Sequence, residues 1–147
     1  MRPSGLALAA FAVLLAACGG SSTGPSMPAS IGGTWSYSAN ISNTQLQTSC
    51  QATGTVTINQ SGSQFSGSNT GNSVCTWPGG TSAGPAGGTI SGGQVTGNSL
   101  TFVDDQGCTY SGTASGSPIN RMSGQVACPL SVSGTTYQFT GTWTASR

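Results

Sequence analysis

Tyr137-Gln138-Phe139-Thr140-Gly141-Thr142-Trp143-Thr144-Ala145 alternates without a break. Tyr137, Phe139, Gly141, Trp143 and Ala145 fall on one face, and Gln138, Thr140, Thr142 and Thr144 on the other. Successive side chains of an extended chain point to opposite sides, so this pattern predicts a strand with one face in a core and the other in water. Near the other end of the chain, Trp35, Tyr37, Ala39 and Ile41 alternate in the same way with Thr34, Ser36, Ser38 and Asn40. From Gly33 onward no stretch shows a helical period.

Turn residues between these two strands set registers. Gly62-Ser63 suits a two-residue hairpin loop. Pairing Ser61 with Gln64 then places Ile58 opposite Gly67, Val56 opposite Asn69 and Cys50 opposite Cys75. Ser117-Pro118-Ile119 closes a second hairpin, with Gly116 against Asn120, Ala114 against Met122, Tyr110 against Val126 and Cys108 against Cys128. The cysteines help to choose these registers, and the apolar residues fall into phase with them. Asp105-Gln106-Gly107 reads as a three-residue loop with Gly in a left-handed conformation, which sets Phe102 opposite Tyr110. Gly97-Asn98 joins Val95 to Leu100, and Ser133-Gly134 pairs Leu130 with Tyr137 and Gly124 with Trp143. A bulge at Gly92-Gly93 brings Ile90 and Val95 to one face. These turns predict an all-β fold of eight antiparallel strands, roughly 34–41, 48–60, 64–77, 88–96, 99–104, 108–115, 121–132 and 135–146. An up-and-down meander leaves two exposed edges unless it closes into a small barrel. A β-sandwich with Greek-key crossings is the alternative.

Residues 1–17 carry Arg2 and then a dozen apolar residues ending in small ones, the composition of a secretory signal. The apolar run is shorter than the roughly 20 residues a membrane span needs. Leu15-Ala16-Ala17-Cys18 resembles the lipobox of bacterial lipoproteins. That resemblance implies acylation of Cys18, cleavage before it, and a lipid bilayer as the first partner. Two or more acyl chains hold a protein stably where one does not. Residues 18–32 then comprise the lipidated cysteine and a Gly/Ser/Pro tether, and residues 33–147 the barrel domain. The expected location is the cell envelope. Gly19, in place of an Asp after the cysteine, resembles an outer-membrane sorting signal for a Gram-negative host.

Export exposes Cys50, Cys75, Cys108 and Cys128 to an oxidising compartment, where an even set reads as two disulfides. The hairpin registers favour Cys50–Cys75 and Cys108–Cys128 among three connectivities. Each bond would close a loop of about 20 residues, worth roughly 3 kcal/mol on the chain-entropy model.

The ends of the domain carry a second resemblance. Gly33-Thr34-Trp35 opens the first strand and Arg147 follows the last, as in the lipocalin-like (calycin) pattern. In those barrels the early Trp packs under a late basic residue at the closed end. Carried over, the resemblance implies that Arg147 covers Trp35. The middle motifs and C-terminal helix of lipocalins are absent.

Composition narrows the chemistry. The chain has three arginines, two aspartates, and no His, Lys or Glu. That removes the usual general bases, Schiff-base amines and most metal ligands, so the sequence points to no enzyme, no metal and no cofactor. A net charge of +1 offers no basic field for nucleic acid. Asp104-Asp105 precedes Gln-Gly and reads as turn chemistry rather than a catalytic carboxylate pair. The candidate ligand-lining residues are therefore aromatic or soft: Tyr37, Phe65, Trp77, Phe102, then Tyr110, Met122, Phe139 and Trp143. Trp77, beside residues 79–88 read as a long loop, stands where a mouth or lid residue would. The expected function is a membrane-anchored, non-enzymatic lipoprotein whose barrel binds a small apolar ligand or serves as a structural module. The alternative is a protein-interaction module such as an envelope protease inhibitor.

Overall fold

A computed structural model describes residues 27–147; the expected leader 1–17, Cys18 and residues 19–26 lie outside the described residues. Eight strands follow one another: β1 Gly33–Asn43, β2 Thr48–Ser61, β3 Gln64–Trp77, β4 Gly80–Thr96, β5 Ser99–Asp104, β6 Thr109–Gly116, β7 Ile119–Val132 and β8 Thr135–Ser146. Each pairs antiparallel with the next, and β1 pairs with β8 from Ser36↔Ser146 to Ser42↔Thr140, so the sheet closes into a barrel. Closure removes the sheet edges that a sandwich would retain.

The turn residues set the registers they predict. Gly62-Ser63 gives Ile58↔Gly67, Val56↔Asn69 and Cys50↔Cys75. Phe102 faces Tyr110, Val95 faces Leu100, and Gly124 faces Trp143. The bulge falls between Ser91 and Gln94, with Gly92 at φ +60°, and both Ile90 and Val95 are buried. Cys50–Cys75 and Cys108–Cys128 are bonded.

Three details depart from the sequence reading. The hairpin at Pro118 holds Ala114↔Met122 and Ser115↔Arg121, then shifts by one so that Gly116 meets Ile119 instead of Asn120. The Ser117–Pro118 peptide is cis. Residues 80–88 are strand rather than loop, and pair with β3 from Trp77↔Gly80 to Asn69↔Gly88. Ladder hydrogen bonds with β3 compensate for a run dominated by Gly, Ala and Pro, with weak strand preference of its own. Because β5 first meets β4 at Ile90↔Asp104 while β2 pairs with β3 as far as Ser49↔Thr76, this half of β4 is the free-edged outer strand of an arm that β2 and β3 extend past the 105–107 loop.

The third departure concerns the tether. Ala29 and Ile31, which composition places in it, are core residues, and Ile31 has no exposed surface. The Gln60 side chain holds them: its Oε1 accepts the Ile31 and Gly32 amides at 2.7 and 3.2 Å, and its Nε2 donates to Ala29 O at 2.9 Å. The Trp35 indole donates to Ile31 O at 2.8 Å. Arg147 lies 4.1 Å over the Trp35 ring and donates to Gly32 O at 2.7 Å and Ile119 O at 3.1 Å. Entering chain, Trp35 and Arg147 together seal one end of the barrel, beside the 62–63, 97–98 and 117–118 turns.

Candidate functional site

Inward-facing side chains divide the barrel along its axis. Toward the sealed end the aromatics form one cluster around Phe102. Its ring stacks on Tyr110 at 4.4 Å and meets Phe65 and Trp143 edge-on at 5.7 and 5.6 Å. Glycines make room for it: a Cβ on Gly112 would strike the Trp143 indole and the Ser123 backbone. The indole nitrogen of Trp143 donates to Ser111 O at 3.2 Å and Gln125 O at 3.1 Å, across the β6–β7 seam. Only a cavity of about 40 Å³ remains here, bounded by Phe65, Phe102, Met122, Trp143 and Tyr37 among others, room for about one or two waters.

Toward the opposite end the inward residues of β2, β3 and β4 are small: Ala52, Ser73, Ala86, Gly88 and the Cys50–Cys75 bridge. A hollow of about 260 Å³ opens among them and continues past the Cys108–Cys128 bridge. Its floor is polar. Tyr110 Oη donates to Asp104 Oδ2 at 3.1 Å, and Asn69 Nδ2 donates to Tyr37 Oη at 3.4 Å. Asp104 Oδ1 accepts the Gln106 and Cys108 amides at 3.0 and 2.9 Å, which fixes the 105–107 loop at the rim. Asp105 leans the other way and accepts the Thr89 amide at 3.0 Å, tying that loop to the base of the β4 arm. Asn69 Oδ1 is buried with no hydrogen-bond partner. Burial holds the Tyr110 hydroxyl well above the usual phenol range, and the nearby Asp104 charge adds to it; burial also raises Tyr37, against the Asn69 hydrogen bond that pulls it down, with Asp104 adding to the rise.

The eight aromatic or soft candidates separate into three groups. Tyr37, Phe65, Phe102, Tyr110, Met122 and Trp143 line the interior together. Phe139 is 2% exposed in the same core, across from Cys128, and borders neither cavity. Trp77 lines neither cavity: it is 40% exposed at the tip of the β3–β4 arm at the open end, its indole against Gly79. Sequence reasoning missed Asn69 and gave Asp104 only a turn role. The signal for Asn69 was its place opposite Val56, a polar residue in an inward position. Asp104 ends an alternating strand in phase with Phe102, so it faces inward as well.

Such a floor offers a carboxylate, an amide oxygen and two phenols. Among the described residues no group of three His, Cys, Asp or Glu is placed to hold a metal ion. No family model, curated protein or solved structure matches this chain.

Proposed function

We propose that this chain is a non-enzymatic envelope lipoprotein, tethered to a bilayer by acyl chains on Cys18, whose barrel receives a small molecule through its open end. The observation that carries the binding half is the hollow of about 260 Å³ over the Tyr37, Asn69, Asp104 and Tyr110 floor. It is slightly smaller than the roughly 300 Å³ at which ligand pockets begin, which suits a molecule of about one ring. The anchoring half rests on Leu15-Ala16-Ala17-Cys18 behind an apolar leader. The two halves fit geometrically. The described chain begins at the sealed end, so an anchor upstream at Cys18 would attach on the side of the barrel away from the mouth.

Native mass spectrometry of protein extracted from its host in mild detergent tests both halves. The expected species begins at Cys18, carries acyl mass and retains a small additional mass. A Cys18→Ser variant is expected to lose the acyl mass and leave the membrane fraction. A wild-type chain without acyl groups refutes the anchor; a bare barrel under gentle conditions refutes the ligand. One observation favours a protein partner as a second reading: exposed Trp77 tips an arm whose outer edge, residues 80–88, pairs with no further strand among the described residues. Co-extraction of a protein-sized mass that Trp77→Ala abolishes would support it.

A further inference from the structure

The four charged side chains of the described domain are sorted by end. Arg121 pairs with Ser146 and Ser115 near the sealed end, where Arg147 also lies, whereas Asp104 and Asp105 both border the open hollow. Asp104 faces inward, and its neighbours Tyr110, Tyr37 and Asn69 are neutral. Removing an ionised carboxylate from water is costly unless an opposite charge or several donors compensate. Three donors reach Asp104, yet its charge has no counter-ion within the hollow. Beside it, Asn69 Oδ1 is an acceptor with no donor at all. Around both stand the Tyr37 and Tyr110 rings, with Phe102 stacked behind Tyr110. Carboxylate, free amide oxygen and aromatic faces share one preference: a positive charge that carries N–H bonds.

Resting on the open-end binding proposed above, we propose that the ligand is a small primary amine in its protonated form. Its ammonium group sits between Asp104 Oδ2 and Asn69 Oδ1, beside Tyr37 and Tyr110. Its apolar body fills the hollow toward the two disulfides. An anion would face Asp104 with no arginine to receive it. A neutral alcohol would leave the carboxylate without a counter-ion. A quaternary ammonium has no N–H for Asn69 to accept.

Three probes of one shape separate these cases: phenethylamine, phenethyl alcohol and phenylacetate, titrated against the full exported protein in detergent by calorimetry and Trp fluorescence at neutral pH. The amine is expected to bind at least about tenfold more tightly than the alcohol, a gap of about 1.4 kcal/mol, and phenylacetate not at all. Asp104→Asn keeps the Oδ1 that caps the 105–107 loop while removing the charge. It is expected to weaken amine binding and so close the gap between amine and alcohol. Alcohol or phenylacetate binding as tightly as the amine overturns the amine assignment while the open-end reading stands. No binding by any probe, with a bare mass from the host, fails both. Should Asp104→Asn not fold, the ratio of the three affinities in the unaltered protein decides alone.

Discussion

Arg147→Met tests how the sealed end is held. Methionine keeps an apolar stem over Trp35 and deletes the guanidinium. The arginine contributes a cation–π contact at 4.1 Å, worth about 0.5–1 kcal/mol at an exposed site. It also donates to Gly32 O at 2.7 Å and Ile119 O at 3.1 Å, with a longer contact to Ser30 O at 3.3 Å. Those carbonyls can turn to water when the arginine goes, so each good bond is worth only about 0.5–1 kcal/mol, the lower end of the usual range. The sum is about 2 kcal/mol. A domain of this size has an unfolding entropy near 0.25 kcal/mol/K at roughly 2.1 cal/mol/K per residue, so the melting temperature should fall by about 8 °C. Circular dichroism melts of the oxidised protein measure it, with Arg121→Met, another exposed arginine, as the control expected to stay within about 2 °C. Arg147→Lys should fall between, because an ammonium keeps the charge but not the fork. If Arg147→Met loses no more than the control, the entering chain is held by Gln60, Trp35 and the Ala29 amide on Gly97 O, and the clamp is not a stabilising device.

Replacing Cys108 and Cys128 together by serine should cost about 3 kcal/mol, from a loop of 20 residues on the chain-entropy model, and lower the melt by roughly 12 °C; a loss of only a degree or two would mean that packing already fixes the rim. A Cβ at Gly124 would run into Ser111 O and the Gly112 backbone, so Gly124→Ala should destabilise by at least about 1–3 kcal/mol, whereas Gly84→Ala, with open space around it, should be neutral in the same melts. Tyr110 is held protonated in the fold, so the unfolded chain gives up that proton first as pH rises above 10.0. Stability should then be full below pH 10 and fall beyond it by somewhat over 1 kcal/mol per pH unit for this group. Tyr110→Phe should flatten that fall in denaturant titrations, and an unchanged slope would place the burden on other groups.

What the sequence made legible follows from turn chemistry. A short Gly turn leaves few choices of register, the cysteines help to select among them, and a register once set fixes which side chains face inward all along both strands. That is why Cys50↔Cys75 and Phe102↔Tyr110 can be placed without coordinates. Residues 80–88 resisted the same treatment because their strand character comes from β3 and not from their own Gly, Ala and Pro. Ile31 resisted because one apolar residue in a Gly/Ser/Pro stretch has no period to reveal it; the Gln60 amide, nearly 30 positions away, decides its fate. Asn69 and Asp104 were concealed differently. Each sits in phase with apolar neighbours, and only the closed barrel shows that their inward direction leads to a shared space.

The hollow itself follows from where bulky residues fall along the axis. A small barrel fills only if large side chains project from one wall into room left by small ones on another. At the sealed end this balance is met: Trp143 uses the space over Gly112, and Phe65 fits against Gly93. At the open end the β2–β4 wall offers Ala52, Ser73 and Ala86, while Asp104 and Tyr110 opposite are tied to each other and do not cross. Cross-strand disulfides stand in this under-filled half, one on each side of the hollow, and restrain strands that side-chain packing does not. Filling the space with a larger residue should therefore raise stability and abolish binding in one step. Ala52→Leu tests that coupling: a higher melting temperature together with retained amine binding would show that the hollow is not where the ligand sits.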